Sequence, residues 1–140
     1  MSFLKMLFVE LLLGIYQPTD YIPAVSNFNI NQYLGTWYEI ARYNHWFEKG
    51  QKNVKTEYIL KDNIIIVKNQ GELNNKLKTI EGVARFKDKT DVGWLEVSFF
   101  KPIYGDYKII YLDENYENVI ITGDSKSYLW ILSRNQKLTN

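Results

Sequence analysis

Cysteine is absent from this 140-residue chain, and histidine occurs once. Disulfides, thiolate nucleophiles and cysteine-based metal sites are therefore excluded. A single histidine, His45, cannot by itself supply the ligand set of a usual zinc site. Net charge is nearly absent too: 17 Lys+Arg stand against 16 Asp+Glu, leaving +1. Nothing in that balance draws in nucleic acid. No apolar run is long enough to span a bilayer; the nearest candidate, Met6–Ile15, is short and broken by Glu10. There is no G-x-S-x-G and no glycine-rich phosphate loop. No nucleophile, base and orienting group support one another, so the chain does not read as an enzyme. Glu39 and Glu96, carboxylates set within strands, are expected to face solvent or to pair with lysine or arginine.

What is present points to strands. Aromatics make up 16% of the chain, and 11 of them are tyrosine, residues that suit a pleated, half-buried surface. Residues 1–16 form a separate segment: a charged start followed by a short apolar stretch, signal-like or helical. Residues 17–140 read as one domain. Pro18 and Pro23 keep the chain extended, and Asn29–Leu34 suits one short turn capped by Asn29 or Asn31. Strand-like runs follow at Thr36–Tyr43, Lys52–Leu60, Ile64–Asn69, Lys78–Lys87, Trp94–Phe100, Tyr107–Leu112, Val119–Thr122 and Ser127–Ser133. Turn residues separate them, such as Asp62-Asn63, Asn74-Asn75 and Gly105-Asp106. The expectation is an all-β fold, an eight-stranded antiparallel up-and-down barrel. Closure removes the sheet edges and leaves room for one small ligand.

Side chains alternate sides along a strand. One face collects Thr56, Tyr58 and Leu60; another Ile80, Gly82, Ala84 and Phe86; another Leu95, Val97 and Phe99. Tyr107, Ile109 and Tyr111 share a face, as do Tyr128, Trp130 and Leu132. An apolar interior with scattered hydroxyls suits a ligand that is mostly apolar with one polar end. The same pattern equally suits a solid core.

Three motifs bear on that choice. Gly35-Thr36-Trp37-Tyr38-Glu39-Ile40-Ala41-Arg42 opens the first strand. Leu112-Asp113-Glu114-Asn115-Tyr116 follows the sixth. Tyr128-Leu129-Trp130-Ile131-Leu132-Ser133-Arg134 forms the last. Together with Phe47-Glu48-Lys49-Gly50 and Val97-Ser98-Phe99-Phe100-Lys101-Pro102, they resemble the lipocalins, in particular the bacterial lipocalin and apolipoprotein D branch. The resemblance covers about residues 27–138. It implies a barrel that carries or stores a fatty acid or lysophospholipid, with no cofactor. It makes Gly35, Trp37, Asp113, Tyr116 and Arg134 structural, with Arg134 packed on Trp37. It places Tyr33, Tyr58, Phe99 and Trp130 in the pocket lining, with Tyr107 and Tyr128 as weaker candidates. The interior faces add Thr56, Val67, Ala84, Val97 and Ile109. An inward aromatic can also simply fill the core; for Tyr58 and Trp130 ligand contact is the favoured reading.

The entrance should carry Trp46 and Phe47 after the first strand and Phe100 and Tyr104 after the fifth, as a binding rim or a peripheral membrane contact. Two departures from the branch stand out. Leu12-Leu13-Gly14 has the shape of a lipid-attachment motif, but Ile15 occupies the cysteine position. The expectation is export to the periplasm, outer membrane or exterior without a cysteine-linked lipid. The usual C-terminal helix also has no counterpart before Asn140; a homodimer is one way to cover the face it would occupy. Two other readings remain open: a pigment or tetrapyrrole binder, with His45 as a loop ligand to haem iron, and an interaction module with a filled core.

Overall fold

A computed structural model describes residues 19–43, 51–125 and 128–136. The segment 1–16 lies outside them, as do His45, Trp46 and Phe47. One helical turn, α1 (Ile30–Tyr33), precedes eight strands: β1 (Gly35–Arg42), β2 (Lys52–Lys61), β3 (Ile64–Leu73), β4 (Lys76–Phe86), β5 (Trp94–Phe100), β6 (Ile103–Leu112), β7 (Asn118–Thr122) and β8 (Leu129–Ser133). Each strand pairs antiparallel with the next, and β8 pairs with β1, so the sheet closes on itself. The fold is the expected up-and-down barrel.

Local chemistry explains the turns. Asp62-Asn63 and Asn74-Asn75 adopt positive φ of 51° and 62°, and of 51° and 60°. Two successive left-handed residues make the tight hairpin that matches strand twist, and Asn and Asp tolerate that region best. Asn29 caps α1, its side chain accepting from the Asn31 amide at 3.0 Å.

The alternation shifts phase where the ladder bulges. Tyr111 was expected inside with Ile109. A register shift between Ile109 and Tyr111 places Leu112 against the core and leaves Tyr111 exposed. One extra residue in a strand reverses the side that every later residue faces.

One end of the barrel is closed. Residues 25–28 cross it, tied by Val25 N to Ile109 O at 2.9 Å and Phe28 N to Asp91 O at 2.9 Å. Phe28 then packs into the same buried cluster as Tyr33, Trp37, Tyr58, Leu95 and Ile109. On the outer wall, Ile22 covers Ile120 and Leu129. Beside it the Lys108 ammonium is buried, donating to the carbonyls of Thr19 and Ile22 at 2.9 and 3.1 Å. These contacts fasten the chain before β1 to the barrel.

Candidate ligand-binding site

The closed end is built around Trp37 and Arg134. The guanidinium lies over the Trp37 ring, 4.0 Å from its centre. It also donates to the carbonyls of Gln32, Tyr33, Leu34, Thr36 and Tyr116. Trp37 Nε1 donates to the Tyr33 carbonyl at 2.8 Å. Asp113 organises the β6–β7 turn by accepting from the amides of Glu117 and Asn118 and from the Asn118 side chain. Burial pushes the Asp113 carboxyl up, but these three donors together hold it below the ordinary carboxylate range. Tyr116, in the same turn, takes a φ of 55° and accepts the Asn29 amide on its hydroxyl.

Above this base sit three phenols. The Tyr107 hydroxyl lies 2.6 Å from those of both Tyr33 and Tyr58. Burial first, and then the neighbouring phenols, raise the pKa of Tyr33 and Tyr107 well above that of free tyrosine. They remain neutral hydrogen-bonding groups at physiological pH. A raised folded-state pKa contributes stability below the unfolded value, about 10, that is lost as pH rises above it. Alkaline unfolding followed by circular dichroism should therefore begin above about pH 10. At neutral pH, Tyr107→Phe should cost about 1–3 kcal/mol, because it removes the hydroxyl shared by the other two.

The interior is graded along the barrel axis. Near the base the inward residues Tyr33, Thr56, Tyr58, Val67, Ala84 and Ile109 are all buried. Higher up, Val97, Tyr107 and Trp130 are half-buried and pack on the core cluster. Higher still, Phe99 and Ile80 are 37% and 49% exposed. Ile80 alternates with Gly82 and Ala84 and faces Asn69 across the ladder. Phe99 lies across Gly82, where a Cβ would come within 2.7 Å of the ring. These two inward side chains reach solvent. On β4 and β5 the inward side chains are thus packed toward the base and reach solvent toward the opposite end, while on β2 Val54 stays buried.

Thr56 Oγ1 donates to Asn69 Oδ1 at 2.7 Å across the β2–β3 ladder. Glu39 and Arg42 form an ion pair at 2.5 Å with both side chains largely buried. A register shift between Glu39 and Ala41 carries Arg42 opposite Trp130, and its guanidinium also donates to the Gln51 carbonyl at 3.0 Å. Glu96 pairs instead on the outer wall with Arg85. Pairing of Glu39 with a basic residue was among the expectations; its partner Arg42 and its burial were not the favoured reading. The pair's only sequence signal is an arginine three residues after a glutamate, which alternation alone would put on opposite faces.

Two residues stand elsewhere than expected. Tyr128 lies in the turn before β8 rather than in the barrel wall, with its carbonyl accepting the Gly123 amide at 2.8 Å. Tyr104, expected at the entrance, sits under the Arg85 guanidinium, 3.8 Å from it, on the outer wall. Phe100 is at the mouth. Among the described residues no group of His, Asp and Glu is placed to hold a metal ion.

A closed barrel, plugged at one end and lined with apolar and phenolic side chains toward the other, defines a binding protein for a small, largely apolar molecule. The chain belongs to the lipocalin family: residues 28–140 match the lipocalin-like domain. It is 43% identical over 128 residues to the outer membrane lipoprotein Blc of Vibrio cholerae, covering 89% of this chain and 75% of that protein. Against the outer membrane lipoprotein Blc of Escherichia coli it is 39% identical over 126 residues, covering 88% and 71%. Against apolipoprotein D of Cavia porcellus it is 31% identical over 129 residues, covering 83% and 66%. These relatives place it in the bacterial lipocalin and apolipoprotein D branch. The solved structure of insecticyanin from the tobacco hornworm Manduca sexta shares the fold, with a TM-score of 0.75 at 19% identity over 90% of this chain and 75% of that one.

Proposed function

We propose that the barrel carries or stores a single-chain lipid, a fatty acid or a lysophospholipid, without transforming it. The observation that carries this reading is the graded interior. The acyl chain lies along Val97, Phe99 and Trp130, above the packed base. The phenols of Tyr33, Tyr58 and Tyr107 limit its depth, and the Glu39–Arg42 pair gives the mouth side a polar wall. Such a lining fits a molecule with a long apolar part and one polar end. The names of the bacterial relatives support a place in the cell envelope.

Lipid extracted from purified protein and identified by mass spectrometry should contain a single-chain species. A fluorescent fatty acid should titrate saturably at one site per barrel and quench Trp130 emission. Absence of saturable binding by the folded protein would sink the reading. Visible absorbance in the purified protein would favour a pigment ligand instead.

A further inference from the structure

The mouth carries a surface that ligand binding does not explain. Phe100 and Ile103 face each other across the β5–β6 hairpin and are 79% and 71% exposed. Lys101 and Pro102, also exposed, form the turn between them. The β3–β4 hairpin ends at the same end of the barrel, since alternate connections of an up-and-down barrel share an end. There Leu77 is 63% exposed between the exposed Lys76 and Lys78. None of these three lysines is ion-paired among the described residues. The tips themselves carry one acid, Glu72; Glu81, Asp106 and Asp124 lie outside them. Glu72 lies opposite Leu77 and accepts from Asn53, Glu81 lies further along β4, and Asp106 is held by Lys87. Asp124 sits on the β7–β8 connection, across the mouth. The two hairpin tips are therefore apolar and, taken together, cationic.

We propose that these two tips dock the barrel mouth-down on an anionic lipid bilayer. Phe100, Pro102 and Ile103 enter the headgroup layer while Lys76, Lys78 and Lys101 meet the lipid phosphates. Large apolar side chains paired at a hairpin tip bury nothing in the barrel, and contiguous exposure of this kind marks an interaction surface. The tip is convex. A fluid headgroup layer accepts a convex wedge without a complementary groove, and flanking lysines match its negative potential. Docked this way, the open end of the interior faces the membrane that would supply or receive a lipid. That purpose rests on the binding reading above; the docking itself does not.

The test is flotation of the full chain with phosphatidylcholine vesicles, with and without phosphatidylglycerol. The chain should float with the phosphatidylglycerol vesicles and much less with phosphatidylcholine alone. Salt near 1 M, where the Debye length is about 3 Å, should weaken the association. Ile103→Asp should lower partitioning about tenfold or more, because it replaces an apolar side chain that enters the headgroup layer by a charge. Lys101→Glu should weaken binding to the anionic vesicles only. Both variants should bind a fluorescent fatty acid as the parent does in vesicle-free buffer, since neither side chain lines the interior.

The proposal is overturned if the parent chain does not float with anionic vesicles, or if Ile103→Asp floats equally well. It is also overturned if sedimentation shows a dimer that Ile103→Asp dissolves while no flotation occurs. Flotation without any fatty-acid binding would leave the docking standing and remove the lipid-carrier reading.

Discussion

Arg134→Ala should lower stability by about 3 kcal/mol, and the melting temperature by roughly 10 °C. The guanidinium touches three parts of the closed end and ties them to β8. It reaches α1 and its exit through the carbonyls of Gln32, Tyr33 and Leu34, β1 through Thr36, and the β6–β7 turn through Tyr116, while its own backbone follows β8. Hydrogen bonds from a charged donor contribute about 1.5–3 kcal/mol each when buried, but this side chain is partly exposed, and several of the freed carbonyls would regain water. The stacking on Trp37 adds about 1 kcal/mol. Arg134→Lys should recover only a small part of the loss, because an ammonium cannot lie flat on an indole and fork to several carbonyls at once. A Trp37→Phe, Arg134→Ala double-mutant cycle in denaturant isolates the stacking. A loss under about 0.5 kcal/mol for Arg134→Ala, the range of an ordinary surface change, would contradict the clasp.

That clasp was legible because two widely separated motifs named both partners. The strand count was legible because turn residues with specific φ preferences separated alternating runs, and Asp62-Asn63 and Asn74-Asn75 form the tight turns their chemistry favours. The ends of strands were less legible. β3 runs to Leu73, past the expected end at Asn69, because its ladder with β4 continues through Gln70, Gly71 and Glu72. Main-chain pairing there needs no apolar side chain. β6 starts at Ile103 rather than Tyr107: Gly105-Asp106 reads as a turn, yet both residues pair within the ladder.

Bulges were not legible at all. One extra residue has no compositional signature, yet the shifts at Ile109/Tyr111 and Glu39/Ala41 decide that Tyr111 faces out and that Arg42 joins Glu39. For the site, alternation and the family motifs each named interior residues singly. That the hydroxyls of Tyr33, Tyr58 and Tyr107 converge is a three-dimensional fact. Those residues come from the helical turn, β2 and β6, and no spacing in the sequence relates them.

Phe99→Asp separates folding from binding, and should produce a folded protein whose affinity for a fatty acid falls about 100-fold, equivalent to about 2.7 kcal/mol. Phe99 is more than one-third exposed without ligand, so an aspartate there keeps its water and the barrel closes as before. Gly82 beneath it loses a covering ring and gains no clash. A bound acyl chain would take the place of that water, and stripping a carboxylate of its hydration with no partner is costly. A carboxylate on the ligand itself would add like-charge repulsion. Phe99→Leu keeps the apolar wall and should lose less than about tenfold. Ala84→Asp, by contrast, puts the same charge into the packed base, where the side chain is 6% exposed, and should unfold the protein instead of sparing it. Circular dichroism and a fatty-acid titration on the three variants test the gradient directly. If Phe99→Asp binds as tightly as the parent, the ligand does not lie along β5, and the open end of the barrel is not its site.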